Sequence, residues 1–115
     1  MITIYGIPNC DTVKKAQNWL KQHEIAFTFH DFRKDGLKPE LVDAWLDALG
    51  PTQLINKRST TWKQLNKDQQ EQLMTDTTIE LIVQNPTLIK RPVLDTGTSL
   101  SVGFKPEQFS SIFNI

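Results

Sequence analysis

The chain of 115 residues contains one cysteine, Cys10, and that scarcity excludes an internal disulfide. Any redox chemistry must borrow a second thiol, and the expected setting is a reducing compartment. Long apolar runs are missing as well. None approaches the roughly 18 residues needed to span a membrane, and the N-terminus has no signal-peptide pattern, so the expected location is the cytoplasm with no membrane partner. Net charge is absent: 13 basic and 13 acidic residues cancel. No global field then attracts nucleic acid or an acidic partner, and any anion binding must be local. The two histidines, His23 and His30, have neither a cysteine pair nor His-x-x-x-His spacing, so no metal site is expected. Repeats and low-complexity tracts are lacking, and the length suits a single domain over residues 1–115.

What is present reads first as strand, loop, helix, strand. Residues 1–6 form a short apolar β-type run, and a helix follows from Asp11 to about Glu24 with Val13, Ala16, Trp19 and Leu20 on its apolar stripe. Residues 25–32, rich in aromatics, make a second strand. With only a helix between them the two strands should run parallel, which puts Cys10 at the carboxyl end of the first, the edge where open sheets hold ligands. After the polar turn at Arg33-Lys34-Asp35-Gly36, Pro39 opens a helix to about Leu49 with Leu41, Trp45, Leu46 and Leu49 inward. Further short helices are expected over 52–55, 61–65, 67–74 and 78–84, without a strand among them. Pro92 to Asp95 and Ser99 to Gly103 then form a hairpin around Gly97, and a last helix begins at Lys105-Pro106 with Phe109, Ile112 and Phe113 buried. The order βαβ, helices, ββα is an α/β pattern that resembles the thioredoxin fold, with a four-stranded mixed sheet and a helical insertion at about 38–85.

Free cysteines are often small inert core residues. The surroundings of Cys10 argue for another role, because Pro8 and Asn9 before it read as loop and Asp11 and Thr12 after it suit a helix start. Amides and dipole at such a start favour negative charge and can lower a cysteine pKa from about 8.5 to about 3.5–7.5. The thiolate is the attacking form. Lys14, one helical turn on, either stands near the thiolate or belongs to a solvated helix face, and the same two readings hold for the adjacent Lys15. Two more basic sites fall in loops, around Arg58 and around Arg91. An arginine fork fits oxyanions and carboxylates, whereas an ordinary surface arginine serves only solubility. Pro92 opens a strand and can be trans or cis.

Three stretches taken together resemble the ArsC/Spx family, most nearly its YffB-like branch: residues 5–16 (Tyr-Gly-Ile-Pro-Asn-Cys-Asp-Thr-Val-Lys-Lys-Ala), 58–62 (Arg-Ser-Thr-Thr-Trp) and 85–94 (Asn-Pro-Thr-Leu-Ile-Lys-Arg-Pro-Val-Leu). The resemblance spans nearly the whole chain and implies an ArsC-like thioredoxin fold with inserted helices. It also implies glutathione-dependent thiol reductase activity, with Cys10 as nucleophile, Arg58 and Arg91 as anion-lining arginines, and Pro92 as a cis proline facing the cysteine loop. Lys14 stands where arsenate reductases carry an arginine. Departures are equally specific. The third arginine of the arsenate site falls near Gly103, Val13 occupies the place of the second Spx cysteine, and Gly6-Ile7 replaces the His-Asn of typical arsenate reductases.

The function expected from residues and resemblance together is a thiol oxidoreductase in which Cys10 attacks an oxidised sulfur or oxyanion and an external thiol resolves the product. Arg58 and Arg91 would hold anionic groups, and Asp11 and Thr12 would contribute helix-start amides. Glutathione is the expected co-substrate, with glutaredoxin a further candidate partner and no bound cofactor. Two alternatives are an arsenate reductase of the glutathione/glutaredoxin type and a Spx-like, non-enzymatic regulator that docks on RNA polymerase.

Overall fold

A computed structural model describes residues 1–75 and 79–115. Along the chain run β1 (Thr3–Gly6), α1 (Asp11–Gln22), β2 (Thr28–Asp31), α2 (Pro39–Leu49), α3 (Pro51–Leu54), α4 (Thr60–Gln64), α5 (Lys67–Thr75), α6 (Ile79–Gln84), a 3-10 turn (Pro86–Leu88), β3 (Val93–Asp95), β4 (Leu100–Val102) and α7 (Pro106–Phe113). Two compact units result, one from Met1–Asp35 with Arg91–Ile115 and one from Gly36–Lys90.

The first unit is built on a four-stranded sheet in the order β2-β1-β3-β4. β1 pairs parallel with β2, as a strand-helix-strand crossover requires, and antiparallel with β3, which pairs antiparallel with β4. In α1, residues 13, 16, 19 and 20 recur at helical spacing, and all four are buried. Ala16, Trp19 and Leu20 join Ile4, Leu94 and Phe109 in one apolar cluster. Phe109 of α7 meets Trp19 and Phe104 edge-on, with ring centroids 5.5 and 4.7 Å apart. Ile112 and Phe113, expected buried, are half-buried against that cluster.

β2 is shorter than the aromatic run suggested. The chain reverses after α1 with Glu24 at φ 56, and the Ile25 amide donates to the Leu20 carbonyl at 2.9 Å. Ile25 is therefore occupied in closing the helix, and strand pairing starts only at Thr28.

In the second unit Val42 and Trp45 form the buried stripe of α2, whereas Leu41, Leu46 and Leu49 are half-buried. The stripe is rotated toward Val42 relative to the expected Leu41, Leu46 and Leu49. Pro51 starts α3 one residue ahead of the expected 52–55 helix, because proline is preorganised for a first helical turn. Helices at 60–64 and 67–75 match expectation to within a residue, and the expected start of the next at Thr78 lies outside the described residues. The Pro86–Leu88 turn was not anticipated, nor was the antiparallel bridge between Ile55 and Ile89. That bridge carries an Asn56 amide to Leu88 carbonyl bond of 2.7 Å and a Lys90 amide to Leu54 carbonyl bond of 2.8 Å. Among the described residues no helix is long and apolar enough to cross a membrane.

Candidate functional site

Cys10 is the N-cap residue of α1. Its backbone is extended (φ −100°, ψ 123°), its carbonyl accepts the Lys14 amide at 3.0 Å, and its side chain makes no capping hydrogen bond. A capping serine or aspartate would use its side chain on the first-turn amides. Here the half-buried sulfur stands at the helix start with that capping role unfilled. Asp11 and Thr12 occupy the first two helical positions, and Asp11 supplies the acidic residue of the first turn. Lys14 is exposed.

The turn that delivers Cys10 is tight. Its amide reaches back to the Ile7 carbonyl at 3.4 Å, and Pro8 and Asn9 at the tip are exposed. Gly6, buried at the end of β1, has no room for a side chain: a β-carbon there would stand 2.7 Å from Cγ2 and 3.3 Å from Cγ1 of Val13. The sequence offered one signal for this, a glycine closing a strand, which often marks close backbone approach.

Antiparallel register brings the second half of the site to the same sheet edge. Tyr5 pairs with Val93, so the residues preceding β3 lie beside the end of β1 where the cysteine turn departs. Those residues are Arg91 and Pro92, joined by a cis peptide bond. The Pro92 carbonyl accepts the Gly103 amide at 2.9 Å, which carries Gly103 to that edge as well. Arg91 is half-buried, and its Nε and Nη1 are buried without a hydrogen-bond partner among the described residues. Such donors are costly to leave unmade, and they fit an anionic ligand. Gly103, at the position expected to lack the third arginine, adds no charge, and its φ of 79° favours glycine.

On the same strands lies Tyr5, its ring 4.9 Å from that of His30. Burial pushes the Tyr5 phenol above its ordinary range, the Asp95 carboxylate pushes the same way, and the Thr3 hydroxyl bonded to it pulls back.

Arg58 belongs to the second unit. It is exposed in the loop before α4, and its amide donates to Asn56 Oδ1 at 3.0 Å. Ser59 donates through Oγ to the Asn56 carbonyl at 2.8 Å and accepts the Trp62 amide at 3.1 Å, which caps α4. Thr61 and Thr87 join their hydroxyls, linking α4 to the 3-10 turn. Of the residues singled out from sequence, Cys10, Asp11, Thr12, Lys14, Arg91 and Pro92 lie in the first unit and Arg58 in the second.

A mixed four-stranded sheet with a cysteine at its first strand-to-helix turn and a proline-led third strand defines an α/β protein of thioredoxin-like fold with an inserted helical segment. The chain belongs to the ArsC family, whose model matches residues 5–112. Among solved structures it is similar to a YFFB protein, with 38% identity, a TM-score of 0.88, and 96% of this chain and 97% of that one covered. It is also similar to an arsenate reductase (ArsC) related protein from Brucella melitensis, with 43% identity, a TM-score of 0.78, and 99% and 95% of the two chains covered. A global transcriptional regulator, Spx of Enterococcus faecalis, is 34% identical over 110 residues, which cover 94% of this chain and 83% of the regulator. The family thus joins relatives named for arsenate reduction with relatives named for gene regulation.

Proposed function

We propose that this protein is a glutathione-dependent thiol oxidoreductase with Cys10 as its only nucleophile. The observation that carries this reading is the sheet edge shared by the Cys10 turn and Arg91, whose two buried donors have no partner among the described residues. In the first step the Cys10 thiolate attacks the glutathione sulfur of a mixed disulfide. A Cys10–glutathione disulfide forms, and the substrate sulfur leaves as a thiolate that takes a proton from solvent. In the second step a free glutathione thiolate attacks the glutathione sulfur of that adduct, which releases glutathione disulfide and restores the Cys10 thiolate. Arg91 binds a glutathione carboxylate through its fork. Arg58 and Lys14 are assigned to anion binding on the family resemblance, and glutaredoxin is the second candidate for the resolving step. A reducing cytoplasm supplies the thiol.

The test is turnover of a glutathionylated protein substrate with free glutathione, with mass spectrometry of the trapped enzyme. The expected result is one glutathione on Cys10 and loss of turnover in Cys10→Ser; turnover that survives this substitution would overturn the reading. Arsenate offered in the same coupled assay tests the reductase alternative, for which the chargeless Gly103 is an unfavourable feature. Similarity to Spx over most of the chain favours one second reading, a regulator that binds RNA polymerase. Equal binding of purified polymerase by wild type and Cys10→Ser, together with no thiol turnover, would support that reading instead.

A further inference from the structure

Resting on the reading of Cys10 as nucleophile, we propose that Gly6 is a positioning residue for that thiol. Its missing side chain admits Val13 of α1, and this seat fixes where the helix start, and the sulfur on it, stands against the end of β1.

Backbone freedom is not what calls for glycine here. Gly36, Gly50, Gly97 and Gly103 take positive φ and Gly6 does not, so space is the requirement. The two sides of the seat are both held. On the strand side, Ile4 is fully buried, and the Gly6 carbonyl accepts the Phe32 amide at 2.9 Å. On the helix side, Val13 is fully buried and β-branched, and such a side chain has one strongly preferred rotamer in a helix. It cannot swing its methyl groups aside, and a close-packed interior offers them no other place. A methyl group added at position 6 therefore displaces the first turn of α1. Cys10 rides on that turn: its carbonyl accepts the Lys14 amide, and only three residues separate it from Gly6. Any displacement felt at Val13 reaches the sulfur directly. Arg91 and Pro92 hang on β3 rather than on α1, so the same displacement alters their geometry relative to Cys10.

A misplacement of about 1 Å in a reacting group can cost about 10²-fold in rate. Gly6→Ala is accordingly expected to slow attack of Cys10 on glutathione disulfide by about ten- to a hundredfold. The double variant Gly6→Ala with Val13→Ala removes the two methyl groups that the new one would meet. Its rate should recover to within about threefold of wild type. Its melting temperature should nevertheless stay below that of wild type, because truncating a buried valine leaves a cavity. Recovery of rate without recovery of stability is the signature, since a residue of merely structural importance would have the two fall together.

The experiment measures, for wild type and both variants, the rate of glutathione transfer to Cys10, the rate of Cys10 alkylation by iodoacetamide, and thermal unfolding. A wild-type rate in Gly6→Ala, or a double variant no faster than the single one, overturns the proposal. Should Gly6→Ala fail to fold, Val13→Ile crowds the same seat from the helix side and is expected to slow both reactions. A wild-type protein that is alkylated but inert towards glutathione disulfide sinks the glutathione reading alone, and the alkylation rates then decide the role of Gly6.

Discussion

Arg91 places a charged fork where two of its nitrogens find no partner among the described residues, and a protein keeps such a group at a cost to its own stability. Replacing it with an apolar side chain of similar length should separate stability from binding. Arg91→Met is expected to leave the melting temperature unchanged or raised, while the KM for glutathione rises about tenfold or more with a smaller change in kcat. Arg91→Lys should not restore affinity, because an ammonium lacks the planar fork. A melting temperature that drops by several degrees would mean that the guanidinium has a structural partner after all. Tyr5 makes a prediction about pH. Burial and Asp95 keep its phenol protonated in the folded chain to higher pH than in the unfolded one. The stability tied to it is complete below about pH 10 and is lost as pH rises through the folded value. Wild-type stability should therefore fall more steeply than that of Tyr5→Phe above about pH 10, measured by urea unfolding; parallel curves would contradict this. Gly103 gives a third test. At φ 79° an arginine is strained by roughly 1–2 kcal/mol. Gly103→Arg should thus lower the melting temperature, and tighter arsenate binding despite that strain would mark the edge as the place of the missing charge.

Elements were legible where periodicity had length to act on. The apolar stripe of α1 and the opening prolines of α2 and α7 stood out in the amino-acid order, and all three helices begin where those signals put them. Short or nonlocal features did not. In α2, Leu41 and Val42 are adjacent on the helix and either could centre the stripe; packing chose Val42. Pro86–Leu88 is too short for a helical period, and the Ile55–Ile89 bridge joins residues too far apart in sequence for any local pattern to reveal. For the site, the thiol at the strand-to-helix turn was readable from loop and cap residues, whereas the buried donors of Arg91 and the Gly6–Val13 contact exist only once β1, α1 and β3 are assembled. The loop bearing Arg58 is stiffened by a motif of the same hidden kind, with Ser59 capping α4 while it bonds Asn56. Ser59→Ala should cost about 1 kcal/mol in denaturant unfolding, as loss of a helix cap does. A cost near zero would show that the Thr61–Thr87 link alone holds the loop.

At the scale of the whole molecule, charge is balanced and a single cysteine is present. The family includes relatives named as reductases and as regulators, and this chain carries Gly103 beside Pro92 at the sheet edge and Val13 in the first turn of α1. Because Val13 is fully buried against Gly6, the position one turn from Cys10 serves packing and offers no second sulfur. This has a consequence for what the protein would register in a cell. A dithiol that closes on itself consumes one glutathione disulfide and releases two glutathiones, so its oxidation depends on the absolute concentration of the pool. A single thiol exchanges one for one, and its adduct fraction follows only the ratio of glutathione disulfide to glutathione. Diluting the pool tenfold at constant ratio should leave the fraction of glutathionylated Cys10 unchanged by mass spectrometry, and a fraction that falls on dilution while a protein–protein disulfide takes its place would reveal a second thiol, from another molecule, closing on Cys10. With a single thiol, the protein would meter the balance of the pool and be blind to its size.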